Sequence, residues 1–184
     1  MNKFIITVLG KDRPGIISLV SNILYKLGCN LENANQMILQ EQFAGFFIVG
    51  SPPDISLETL SQTIKSKTEN TGLTIHINAV EDNENSESNT RGETFLITTI
   101  GPDQKGLVAR FSKIIALHKV NIENLKAVFK GGKDPNANIM SYQVFITPDI
   151  DTAQLFNALR QKAEELDLDI RIQHKNIFDA INKI

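Results

Sequence analysis

The chain has 184 residues, 41% of them hydrophobic, with 19 Lys and Arg against 21 Asp and Glu for a formal charge of −2. That apolar content excludes wholesale disorder, and the missing basic excess argues against direct nucleic-acid binding, where phosphate neutralisation supplies most of the affinity. The single Cys29 excludes an intramolecular disulfide and fits a reducing compartment.

The predicted elements begin with an apolar, β-branched strand from Phe4 to Leu9, which Gly10 ends. Asp12 is placed as a helix N-cap and Pro14 in the first helical turn. Ile16, Val20, Ile23, Leu24 and Leu27 then share one helical face, and Gly28 stops the helix. A strand from about Asn30 to Gln40 turns near Glu41–Gln42 into a second, Phe43–Val49. Ser51-Pro52-Pro53 breaks that strand. Ser56 caps a second helix with Leu57, Leu60 and Ile64 inward, and Thr74–Val80 is a closing strand.

From Glu81 to Gly92 there is no apolar residue, so this stretch reads as a solvated linker. Beyond it the pattern returns. A shift of 91 residues lays Phe4–Asn33 on Phe95–Asn124 without a gap. Phe4, Ile6, Thr7, Gly10, Asp12, Gly15, Ser21, Ile23, Asn30, Glu32 and Asn33 all match their partners. This is a tandem duplication, too long in period and too few in copies for a solenoid. The second copy has a strand at Phe95–Ile100 and a helix with Leu107, Phe111, Ile114, Ile115 and His118 on one face. A hairpin follows, Asn121–Phe129 with Ile139–Thr147. Its second helix carries Leu155, Leu159, Ala163 and Leu166 behind an Asp151/Gln154 capping box, and its last strand is about Asp169–His174.

Each copy thus reads βαββαβ, an α+β, ferredoxin-like arrangement with an antiparallel sheet and both helices on one face. The expected boundaries are a first domain at 1–80, a linker at 81–93, a second domain at 94–176 and a tail at 177–184. The uncovered sheet faces and edges lead us to expect a homodimer. With no apolar run near the ~20 residues of a membrane span and no signal-peptide pattern at Met1–Thr7, a cytoplasmic protein is expected.

The string Gly10-Lys11-Asp12-Arg13-Pro14-Gly15-Ile16, followed after the helix by Gly28-Cys29-Asn30-Leu31, resembles the ACT domain family. The second copy resembles it more loosely. Gly101-Pro102-Asp103-Gln104-Lys105-Gly106-Leu107 with Val120-Asn121-Ile122 keeps both glycines, the Asp and the Asn but lacks the Arg-Pro pair. The resemblance implies a non-catalytic regulatory protein that binds a small amino acid, glycine by analogy, where domains abut. Two copies without a catalytic domain are similar to transcriptional regulators of glycine cleavage. That implies a protein partner such as a transcription factor, with an enzyme as the alternative target. No cofactor is implied. The candidate ligand residues are Gly10, Asp12, Arg13, Pro14, Gly15, Ile16, Asn30 and Leu31, and Gly101, Asp103, Gly106, Leu107, Asn121 and Ile122.

Elementary physics supports such a turn. A helix N-terminus presents unpaired N–H groups and about half a positive charge. Gly15 and Gly106 allow close approach to the backbone. Asn30 and Asn121 offer donors and acceptors, and Asp12 and Asp103 can meet an ammonium group. The plainer roles are helix caps for the two Asp and helix–sheet packing for the two Gly.

Other constellations are weaker. His76, His118 and His174 lack ligand spacing for a metal, and Cys29 suits a small buried hydrophobe. Glu32 and Glu123 read as a duplicated solvated edge. Phe43-Ala44-Gly45-Phe46-Phe47 echoes the RNA-recognition pattern, but without its leading basic residue. An acylphosphatase-like pair, Arg13 and Asn30, lacks a phosphate-cradling loop and loses its Arg in the second copy.

Overall fold

In the computed structural model, which describes residues 2–80, 91–128 and 138–177, strand β1 (Asn2–Lys11) buries Phe4, Ile6 and Val8 on one side. Its period-two alternation lets one sheet face carry a core. Most of the polar linker, Phe129 and the chain beyond Ile177 lie outside the described residues.

Helix α1 (Ile16–Lys26) buries Ile16, Val20, Ile23 and Leu24 against that face. It ends as expected at Gly28, whose φ is +69°. Gly28 N–H donates to the Tyr25 carbonyl and Cys29 N–H to the Leu24 carbonyl, each at 3.0 Å, a Schellman closure. Strands β2 (Asn30–Leu39) and β3 (Gln42–Ser51) are joined by Gln40 and Glu41, both left-handed, one residue earlier than the sequence pattern places the turn. Two consecutive left-handed residues match the twist of a tight hairpin. Helix α2 (Leu57–Thr68) is capped by Ser56, whose Oγ accepts from Thr59 N–H at 3.1 Å, and buries Leu60 and Ile64. Leu57, expected inward, is exposed in the first turn, which the cap holds without core contact. Strand β4 (Thr74–Ala79) completes an antiparallel sheet of order β2-β3-β1-β4.

The second unit repeats this with β5 (Glu93–Gly101), α3 (Leu107–Leu117), β6 (Asn121–Val128), β7 (Asn138–Ile146), α4 (Thr152–Glu165) and β8 (Asp169–His174), in the order β6-β7-β5-β8. Asp151 Oδ1 accepts from Gln154 N–H at 2.9 Å. Each sheet carries its two helices on one face, the ferredoxin-like α+β fold. Chain contacts divide the molecule into residues 1–87 and 88–184. Each unit has its own core, around Phe47 and Leu60 in the first and Phe111 and Tyr142 in the second.

The opposite sheet faces are both mixed. Pairing places Ile5, Leu9, Met37, Ala44, Phe46 and Ile48 on the open face of the first sheet, among Thr7, Asn33, Asn35, Thr74 and His76. The second presents Leu96, Ile100, Val128 and Ile139 among Thr98, Lys126, Ser141, Gln143 and Arg171. No described helix is long and apolar enough to cross a membrane.

Candidate functional site

The two glycine turns follow one design, and it differs from the sequence expectation in its cap. Strand β1 runs through Lys11, so Gly10 does not end it. Asp12 N–H donates to the Glu41 carbonyl at 2.7 Å and pins the turn to the β2–β3 hairpin. The α1 N-cap is Gly15, whose carbonyl accepts the first helical bond from Leu19 at 2.8 Å. In α3 it is Gly106, bonded to Arg110 N–H at 3.0 Å. Asp12 and Asp103 therefore do not cap, and Pro14 precedes the first helical turn. The reason is the left-handed glycine, at φ +95° and +82°. It swings the chain at the helix start, so a side chain three residues upstream is out of line with the first N–H groups.

Among the described residues neither α1 nor α3 has a side-chain cap, and neither has an acid in its first turn, whereas α2 and α4 are capped by Ser56 and Asp151. The first N–H groups of α1 and α3 thus present partial positive charge without a side-chain acceptor. Among the described residues a Cβ on Gly15 would meet nothing within 4 Å, and one on Gly106 only Arg110 Nε at 3.9 Å. These glycines serve backbone conformation, not helix–sheet packing.

Gly10 and Gly101 do serve packing. A Cβ on Gly10 would lie 2.7 Å from Leu73 Cδ2, and one on Gly101 2.6 Å from Leu168 Cδ2. Ile16 and Leu107 are each 2% exposed and belong to the cores. At the helix starts they have only backbone N–H groups to offer a ligand. Asp12, Arg13, Pro14 and Asp103 are exposed around the turns. Arg13 reaches back to donate to the Thr71 carbonyl at 3.4 Å, and Gln104 to the Leu166 carbonyl at 2.6 Å. The Arg-to-Gln change between copies keeps this tie to the second helix's C-terminal side.

Asn30 and Leu31 lie elsewhere. Leu31 pairs with Val49 and hence lies level with Phe4, whereas Gly10 pairs with Phe43 six residues along β1. At about 3.3 Å per residue that is about 20 Å. In the second unit Asn121 is level with Thr94 through Phe145, seven residues from Gly101, or about 23 Å. The crossover helix spans the sheet between the two ends, so no ligand of amino-acid size touches both within one unit.

The start of β2 holds a device the sequence showed only as a repeat. Register slips at Glu32 and again at Glu123, so each is the extra residue of a β-bulge. Glu32 turns over Gly50, where a Cβ would lie 2.7 Å from its Oε1, and pairs with Lys3 at 3.5 Å. Glu123 Oε2 accepts from Gln143 at 2.9 Å. Bulge acids thus hold the strand starts.

The aromatic echo of an RNA platform resolves into core packing. Phe43 and Phe47 are buried under the helices, with Gly45 small between their rings. Of the three phenylalanines Phe46 alone faces the open side, 45% exposed. Cys29 packs against the first core, and burial pushes its thiol pKa up. Among the described residues no group of three His, Cys, Asp or Glu side chains could hold a metal ion.

A family model of the ACT domain matches residues 2–78 and 93–173. A UPF0237 protein of Methanopyrus kandleri is 32% identical over 89 residues, 48% of this chain and 96% of that protein. A UPF0237 protein of Streptococcus mutans is 35% identical over 75 residues, 41% of this chain and 85% of that protein. Both lengths correspond to one copy. The crystal structure of an unknown protein from Galdieria sulphuraria has a TM-score of 0.77 at 21% identity, over 94% of this chain and 98% of that one. That of a protein proposed to be a glycine cleavage system transcriptional repressor has 0.70 at 17%, over 94% and 96%. At such identities the likeness is one of fold. With both of its βαββαβ units matched, the chain belongs to the ACT domain family.

Proposed function

We propose that this is a non-catalytic regulatory protein that binds a small amino acid at its glycine turns and passes that signal to a protein partner in the cytoplasm. The observation that carries the reading is the pair of helices without side-chain caps behind Gly15 and Gly106, beside two helices that are capped. A ligand carboxylate there gains about 0.3–1 kcal/mol from the helix dipole, up to about 2 when partly buried. The asparagines Asn30 and Asn121 lie about 20 Å or more from the turn of their own unit. We therefore place the other half of the site on a second copy of the chain. A homodimer also accounts for the exposed apolar side chains Leu9, Met37 and Phe46 on the open face of the first sheet.

We take the ligand to be glycine and the partner to be a transcription factor controlling glycine cleavage. The fold shared with the proposed glycine cleavage repressor supports this choice. Coupling of this kind is worth about 1–3 kcal/mol.

Thermal unfolding against a panel of single amino acids tests the reading. At about 100 times its dissociation constant, glycine should add about 2.7 kcal/mol and raise the midpoint of a chain this size by roughly 5–11 °C. No shift with any amino acid would leave an interaction scaffold. Light scattering should show a dimer, and a monomer at working concentration would remove the second half of the site.

A further inference from the structure

A groove of about 410 Å³ runs along the helix layer of the first unit, between α1 and α2. It lies within the range of small-molecule sites. Leu19, Ile23 and Leu27 give it an apolar wall, Lys26 and Lys67 stand on its rim, and among the described residues no carboxylate lines it. From Gly15 at one end to Leu27 at the other it follows α1 for about 18 Å at 1.5 Å per residue. We propose that this groove binds an elongated amphipathic monocarboxylate, an acyl chain ending in a single carboxylate.

The strand directions orient the ligand. β1 and β2 both run antiparallel to β3, and β4 runs antiparallel to β1. The crossover helices α1 and α2 are therefore antiparallel, which sets Lys67, near the end of α2, beside the start of α1. Lys26 stands at the opposite end. The dipole of α1 favours an anion at its N-terminal end. The carboxylate meets Lys67 there, and the chain lies along Leu19 and Ile23 toward Leu27. The methylene stem of Lys26 covers its far end.

The second unit supplies an internal contrast. The 91-residue offset puts Arg110 at the position of Leu19 and Lys113 at that of Asn22. Charge interrupts the apolar wall there, so the site belongs to the first copy. It shares the α1 N-terminus with the amino-acid reading and goes beyond it in the apolar groove, which glycine, having no tail, leaves empty.

The test is amide chemical-shift titration of the full chain with sodium octanoate, with octylamine as the tail of opposite charge. Saturable octanoate shifts are expected at Gly15, Leu19, Ile23 and Lys67. Leu19→Arg and Lys67→Glu should each weaken binding at least tenfold, and octylamine should give no saturable shifts there. No saturable octanoate response at millimolar concentration overturns the proposal, as does equal binding of octylamine or an unchanged affinity in Lys67→Glu. Lys67 is exposed. Should circular dichroism show Leu19→Arg unfolded, Lys67→Glu decides alone.

Discussion

Gln104 donates to the carbonyl oxygen of Leu166 at 2.6 Å, tying the second glycine turn to the end of α4. Arg13 makes the corresponding tie to Thr71 in the first unit. Two residues that differ in charge do one job, because a main-chain carbonyl asks for a donor and not for a charge.

Gln104→Ala should therefore loosen the second turn. A neutral hydrogen bond contributes about 0.5–1.5 kcal/mol net, and Gln104 is half-buried. Chemical denaturation should show a loss in that range, with Arg110 N–H exchanging faster at the α3 start. An unchanged midpoint and exchange rate would show that the bond carries no stability.

Gly15→Ala should destabilise the first unit without any clash. Its φ of +95° lies where a side chain costs about 1–2 kcal/mol, and a Cβ there meets only open space. Gly15→Asn should lose less, because asparagine tolerates left-handed backbone. Equal losses for both, read from unfolding midpoints, would point to contact and not conformation.

Tyr142 should make stability depend on alkaline pH. Its side chain is fully buried, stacks on Phe111 with ring centres 6.1 Å apart, and donates to Met140 Sδ at 3.5 Å. Burial pushes its pKa up to about 12. The phenol ionises more readily in the unfolded chain, near its ordinary value of about 10. Stability is thus intact below pH 10 and falls between about 10 and 12, by about 1.4 kcal/mol per pH unit. Denaturation at pH 9 and pH 11.5 should show this loss in the native protein and a smaller one in Tyr142→Phe. Identical losses would mean the phenol ionises in place.

Thr99→Val should stabilise the second unit. Thr99 Oγ1 is buried without a hydrogen-bond partner among the described residues, as is Asn138 Oδ1. The first unit has Val8 at the position of Thr99. Removing an unsatisfied buried hydroxyl while keeping the branched shape returns about 1 kcal/mol or more. A lower unfolding midpoint would show that the hydroxyl has a partner in solution.

The order of elements in both copies followed from the sequence, because strand alternation and helical spacing are local patterns. The caps at Ser56 and Asp151 and the stop at Gly28 were also legible, since each acts within a few residues. The sequence likewise paired the two copies position by position. What it could not show was that Gly15 and Gly106, not Asp12 and Asp103, begin their helices. That depends on a backbone angle that glycine permits but does not require. Nor could it show that Gly10 and Gly101 leave room for Leu73 and Leu168, more than sixty residues away in the chain. The separation of Asn30 from the Gly15 turn was decided by the tertiary structure alone, because strand pairing sets which residues share an end of the sheet. Asn30 and Gly15 are close in sequence, yet α1 carries the chain the length of the sheet between them.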